Sequence, residues 1–102
     1  MSREKKSLSK KTIKPGKKMD SSVIQSLREQ ILSYLNQGDK EITFDFNGVE
    51  TIDSKGLSLL IAAYNSSMNI GGKIKIKNAS EKISKFMNIT RLDKYFEISS
   101  PG

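Results

Sequence analysis

Asp53 and Ser54 are the residues of this chain whose types and position best suit chemistry. A strand-like segment precedes them, because Ile42, Phe44 and Phe46 alternate with polar residues. A helix-like segment follows, with apolar residues at helical spacing: Leu57, Leu60, Ile61 and Tyr64. A serine at a helix start lies where unpaired backbone N–H groups and the helix dipole favour a phosphate. The same residues also suit a purely structural role as a helix N-cap, and both interpretations stay open at this point.

Enzymatic chemistry finds little support in the sequence. The chain contains no histidine and no cysteine, which removes the most common general base, metal ligand and thiolate nucleophile. It also lacks a P-loop and a dinucleotide-binding glycine motif. The nearby carboxylates Asp45, Glu50 and Asp53 do not complete a metal or acid–base constellation. We therefore expect a protein that is not an enzyme and that uses no metal or other cofactor.

The charge of the chain is unevenly distributed. The 102 residues carry a net charge of +7; residues 1–18 hold eight Lys or Arg and one Glu, whereas residues 19–102 hold ten basic and ten acidic residues. We therefore expect a basic, flexible arm over residues 1–18 and a neutral domain over residues 19–102. A neutral domain argues against direct nucleic-acid binding by the folded part. The arm suits a solubilising tail, or alternatively a segment that binds nucleic acid or an anionic membrane.

No part of the sequence predicts a membrane segment. No apolar run approaches the length of a bilayer span, and the arm lacks the apolar region of a secretory signal. We therefore expect no membrane insertion and a cytoplasmic location.

Alternating helix and strand patterns predict an α/β domain. Helices are expected from Asp20–Ser22 to Gly38, over residues 54–69, and after a cap at Asn78 or Ser80; strands are expected over residues 41–46 and 73–77, with a poor edge strand at 11–14. Val49 and Ile52 should anchor the loop before the second helix. The core candidates of the third helix are Ile83, Phe86, Met87 and Ile89. A final turn and a short extended tail are expected to follow, formed by Leu92, Tyr95, Phe96 and Ile98.

The order of these elements resembles the STAS domain, the family of anti-sigma factor antagonists. Members carry a strand, a loop, an Asp-Ser-x-Gly-Leu motif, an apolar helix, a Gly-Gly turn and another strand; the matching residues are Asp53, Ser54, Lys55, Gly56, Leu57 and Gly71-Gly72. The resemblance covers residues 19–98. It implies one small STAS-like domain, with a mixed β-sheet of about four strands and three to four helices packed mainly on one face. Members usually open with two strands, where this chain has room for one at most.

The resemblance also implies a function. In this family the serine after the Asp is phosphorylated by a serine kinase that is also the anti-sigma factor. The unphosphorylated antagonist captures that kinase, and a serine phosphatase restores the antagonist after phosphorylation. Carried over by position, Ser54 is the phosphoacceptor and Asp53 its orienting neighbour. Lys55, Gly56 and Leu57 are expected to support the phosphosite or to contact the partner, with Gly56 leaving the helix entrance open.

Two functions therefore remain open. The first is a phosphorylation-regulated binding module in bacterial signal transduction and transcription regulation. The alternative is a constitutive STAS accessory subunit of a transporter or other signalling complex, which is not switched by phosphorylation. Lys55, where many regulated members have Ser or Thr, and the altered N-terminus motivate this alternative.

Overall fold

The computed structural model describes residues 10–99. The elements in chain order are β1 (Lys10–Ile13), β2 (Lys18–Met19), α1 (Ser21–Asn36), β3 (Glu41–Asp45), β4 (Thr51–Ile52), α2 (Ser54–Asn69), β5 (Lys73–Lys77), α3 (Glu81–Ile89), a 3₁₀ turn (Leu92–Lys94) and β6 (Glu97–Ile98). In this part of the chain, no helix has the length and apolar character needed to cross a bilayer.

The main sheet has four parallel strands in the order β1-β3-β5-β6. Ile42 lies beside Ile74 and Phe44 beside Ile76; these side chains are buried with those of α1 and α2 in one core. The other face carries polar side chains. The prediction of a small α/β fold with about four strands and helices on one face is confirmed, although every described strand pair is parallel and the sheet is not mixed.

Residues 10–18 belong to the folded unit and not to a flexible arm. β1 forms one edge of the sheet, and Ile13 within it is only 1% exposed. β2 pairs with β4 in a second, two-stranded parallel sheet. Two strands therefore precede α1, against the expectation of one at most, and the domain begins no later than residue 10. The rest of the predicted arm, residues 1–9, lies outside the described residues.

The C-terminal part confirms most of the predicted core. Ile83 and Met87 of α3 are buried, but Ile89 is 71% exposed, so its assignment to the core is wrong. Residues two positions apart on a helix do not share a face, and Met87 already fixes which face of α3 points inward. Tyr95 is also exposed, although its ring lies edge-to-face against Tyr64, with ring centroids 5.2 Å apart.

Candidate functional site

Helix α2 begins at Ser54, as predicted, and Asp53 is its N-cap. The Asp53 carboxylate oxygen Oδ1 accepts hydrogen bonds from the backbone N–H groups of Lys55 and Gly56, each at 3.0 Å. The N–H of Leu57 donates to the Asp53 carbonyl, also at 3.0 Å. Asp53 therefore fixes the first turn of α2, and the structural interpretation of this residue holds whatever else the site does.

Ser54 is exposed at this helix start. Its hydroxyl makes no hydrogen bond to any residue of the described range 10–99. A group attached to Ser54 Oγ would therefore meet solvent or a bound protein and not the core. The sequence predicts unpaired backbone N–H groups at this helix start. Because Asp53 already accepts hydrogen bonds from Lys55 and Gly56, those two N–H groups are not free to bind an anion. The exposed side chain of Lys55 is the adjacent positive charge.

Gly56 has an inward-facing packing role. A Cβ atom at Gly56 would lie 2.5 Å from the carbonyl oxygen of Met19 and 2.9 Å from Cγ2 of Ile52. The Asp53 N–H donates to the same Met19 oxygen at 3.2 Å. The absence of a side chain thus lets α2 begin directly against β2, and the expectation that Gly56 leaves the entrance open to a partner is wrong. Leu57 is half-buried against the core.

Met19 is the contributor that sequence reasoning missed. It is fully buried in β2 and pairs with Ile52 of β4, so the two strands run side by side into α1 and α2. Both strands continue with Asp-Ser, at Asp20 and Asp53. This repeated pattern of an apolar residue, Asp and Ser is the signal in the sequence that could have identified two similar strand-to-helix junctions.

Asp20 caps α1 in the same way. Its Oδ1 accepts from the Ser22 hydroxyl at 2.6 Å and from the Ser22 N–H at 3.0 Å. The hydroxyl bond, followed by the backbone bond, lowers the pKa of Asp20 below its ordinary value. Two capped helix N-termini therefore lie next to each other at this end of the molecule.

The other nearby carboxylates do not join the site. Asp45 is only 8% exposed, and its Oδ1 accepts from Asn78 Nδ2 at 2.8 Å and from the Asn47 N–H at 3.0 Å. The Asn78 bond, followed by the Asn47 bond, lowers the pKa of Asp45. Asp45 thus ties the turn after β3 to the end of β5. Within residues 10–99, no three acidic side chains come close enough together to hold a metal ion.

Comparisons with known proteins agree with this architecture. The family model described as the STAS domain matches residues 4–100. The TM1081 homolog of Thermotoga neapolitana is 29% identical over 65 residues, which cover 64% of this chain and 58% of that relative. The match thus spans less than two thirds of that relative's length. The anti-sigma-B factor antagonist of Bacillus subtilis is 28% identical over 74 residues, covering 72% of this chain and 67% of that protein.

Solved structures show the same fold. TM1081 of Thermotoga maritima superposes with a TM-score of 0.80 at 23% identity, covering 88% of this chain and 78% of that chain. The unphosphorylated anti-sigma factor antagonist SpoIIAA gives a TM-score of 0.75 at 18% identity, covering 89% and 81%. SpoIIAA from Bacillus has also been solved in a phosphorylated form, with a TM-score of 0.69 at 19% identity, covering 87% and 81%.

Proposed function

Because this chain belongs to the STAS domain family, we propose that it is a phosphorylation-regulated binding module of the anti-sigma factor antagonist type. In this proposal, the surface around unphosphorylated Ser54 binds a serine kinase that is also an anti-sigma factor. Phosphorylation of Ser54 releases that partner, and a serine phosphatase restores the binding form. The protein acts by binding and not as an enzyme, in the bacterial cytoplasm.

The observation that carries the proposal is the exposed, unbonded hydroxyl of Ser54 at a fixed helix start. A kinase needs a hydroxyl that it can reach and a local fold that tolerates new negative charge. Ser54 is exposed, and the capping bonds beside it are made by Asp53 and not by Ser54. Phosphate on Ser54 Oγ therefore breaks no hydrogen bond among the described residues.

The proposed switch acts on binding because a phosphate adds about 1.5 to 2 negative charges at pH 7. The Asp53 carboxylate already accepts hydrogen bonds from the N–H groups of Lys55 and Gly56. Those N–H groups can therefore bind the phosphate only if their hydrogen bonds to Asp53 break. A partner surface that fits a neutral hydroxyl would then bury an unpaired charge, at a cost of several kcal/mol. Lys55 reduces this charge only in part.

The experiment begins with phosphosite mapping by mass spectrometry on the protein purified from its native cells, with Ser54→Ala as the control. The kinase that modifies it is then purified, and its affinity is measured for wild type, Ser54→Ala and Ser54→Glu. Ser26→Glu, which places the same charge at an exposed position of α1, is the matched control. We expect phosphate on Ser54 and at least tenfold weaker binding by Ser54→Glu alone. An unmodified Ser54, or a kinase whose affinity is the same for wild type and Ser54→Glu, would refute the switch.

A further inference from the structure

An apolar groove lies between β4 and α3. It has a volume of about 350 Å³ and is lined by apolar side chains that include Ile52, Phe86 and Ile89. Ile52 ends β4 and is two residues before Ser54, so the groove adjoins the strand-to-helix junction that carries the candidate phosphosite. Ile89 is the most exposed large apolar residue among those described. An exposed apolar surface with a polar rim is typical of a protein-binding site.

The rim of this groove is basic. Lys82 and Lys85 line it from α3, and both are exposed. Neither forms an ion pair with another residue in the described part of the chain. Glu50 is the single acidic residue in the lining. The groove therefore offers two uncompensated ammonium groups beside an apolar floor.

We propose that this groove docks an acidic, apolar segment of the protein that Ser54 regulates. A large apolar side chain of that segment lies between Ile52 and Phe86, and its carboxylates pair with Lys82 and Lys85. A second copy of this chain fits less well, because its own groove would bring the same two positive charges to the contact. The identity of the partner rests on the proposed function; the chemistry of recognition rests on the groove.

This arrangement also gives the phosphate a direct effect on docking. A phosphate on Ser54 adds negative charge at the start of α2, two residues after the groove residue Ile52. This charge repels the carboxylates of an acidic partner segment. Phosphorylation would thus oppose the same contact that Lys82 and Lys85 favour.

An NMR titration of the ¹⁵N-labelled full chain tests the groove. The probes are three synthetic hexapeptides: Glu-Glu-Leu-Phe-Glu-Glu, its basic counterpart Lys-Lys-Leu-Phe-Lys-Lys, and the non-apolar Glu-Glu-Gly-Gly-Glu-Glu. We expect only the first to shift the amide signals of Ile52, Phe86 and Ile89. The double variant Lys82→Glu/Lys85→Glu should bind it about tenfold more weakly, since it loses two charge pairs. Lys40→Glu/Lys94→Glu, with the same charge change at exposed positions outside the groove lining, should bind as wild type does.

Several results would overturn the groove assignment. They are the absence of groove shifts with the acidic apolar peptide, equal shifts with the basic peptide, and equal weakening by the two double variants. If the amide signals of the groove residues shift with protein concentration in the absence of peptide, the occupant of the groove is a second copy of this chain. Groove binding that is unaffected by Ser54→Glu would keep the assignment and contradict the direct effect of the phosphate on docking. The switch itself is tested by the affinity of the kinase, so the two proposals fail separately.

Discussion

Replacing Gly56 by alanine tests how the phosphosite is built. In an exposed helix, Gly→Ala stabilises the fold by about 1 kcal/mol, because alanine loses less conformational entropy and favours the helix. If Gly56 only left the helix entrance open, the substitution would produce this gain. The contact of α2 with Met19 predicts the opposite sign.

The size of the loss follows from the approach of two backbones. The new Cβ atom would lie 2.5 Å from the Met19 oxygen, where ordinary contacts begin near 3.4 Å. A backbone carbonyl cannot rotate away as a side chain can, so β2 and α2 must separate by about 1 Å, at an overpacking cost of about 1–3 kcal/mol. The hydrogen bond from Asp53 to Met19 weakens as well, by about 1 kcal/mol. Set against the gain in helix propensity, the net destabilisation is about 1–3 kcal/mol.

Urea and thermal unfolding of the full chain at pH 7 measure this difference. For a domain of this size the loss corresponds to a Tm lower by about 5–20 °C. Ser58→Ala, an exposed substitution in the same helix, should stay within about 0.5 kcal/mol of wild type. A Gly56→Ala protein that is as stable as wild type, or more stable, would refute the close contact between α2 and β2.

Three further perturbations give distinct outcomes. Asp45→Asn should destabilise the fold by about 1 kcal/mol at pH 7. Because folding lowers the pKa of Asp45 from 3.8, the extra stability of wild type is fully present above pH 3.8 and is lost as the pH falls through the lower pKa of the folded state. Urea denaturation of both proteins over a pH series measures this difference. Ser54→Ala and Ser54→Glu should each change the free energy of unfolding by no more than about 0.5 kcal/mol in the same assay, and a larger loss for Ser54→Glu alone would show that charge there alters the fold. Lys11→Met removes the 3.2 Å ion pair to Asp39, which is 5% exposed. The free energy of unfolding should fall by about 1–2 kcal/mol, a value reduced for the partial exposure of Lys11. Adding Asp39→Asn should recover part of that loss.

Local patterns allowed the central elements to be predicted from sequence. The bounds of α2 and β5 are those expected, because helical spacing, the Gly71-Gly72 turn and strict alternation are all contained in adjacent residues. The position of Ser54 at the helix start followed from the same patterns. The exposure of its hydroxyl, by contrast, depends on how α2 is rotated against the core, which the structure supplies.

The N-terminal strands could not be predicted in this way. β2 has two residues, too few to show a period, and the high lysine content around β1 is typical of an unfolded arm. Their order comes from pairing with β3 and β4, which follow α1 in the chain. The role of Gly56 was missed for the same reason, since sequence shows that a side chain is absent but not which distant backbone fills the space.

The Asp53 N–H donates a hydrogen bond to the Met19 carbonyl, so this amide reports the local stability of the junction that carries the candidate phosphosite. Hydrogen exchange at this amide requires that β2 and the start of α2 part, so its protection factor measures the free energy of that local opening. A kinase that acts on the closed form would phosphorylate Ser54 at a rate unrelated to this exchange. A kinase that requires the open junction would phosphorylate Ser54 at a rate that rises and falls with the exchange rate across variants of β2, because both depend on the population of the open form.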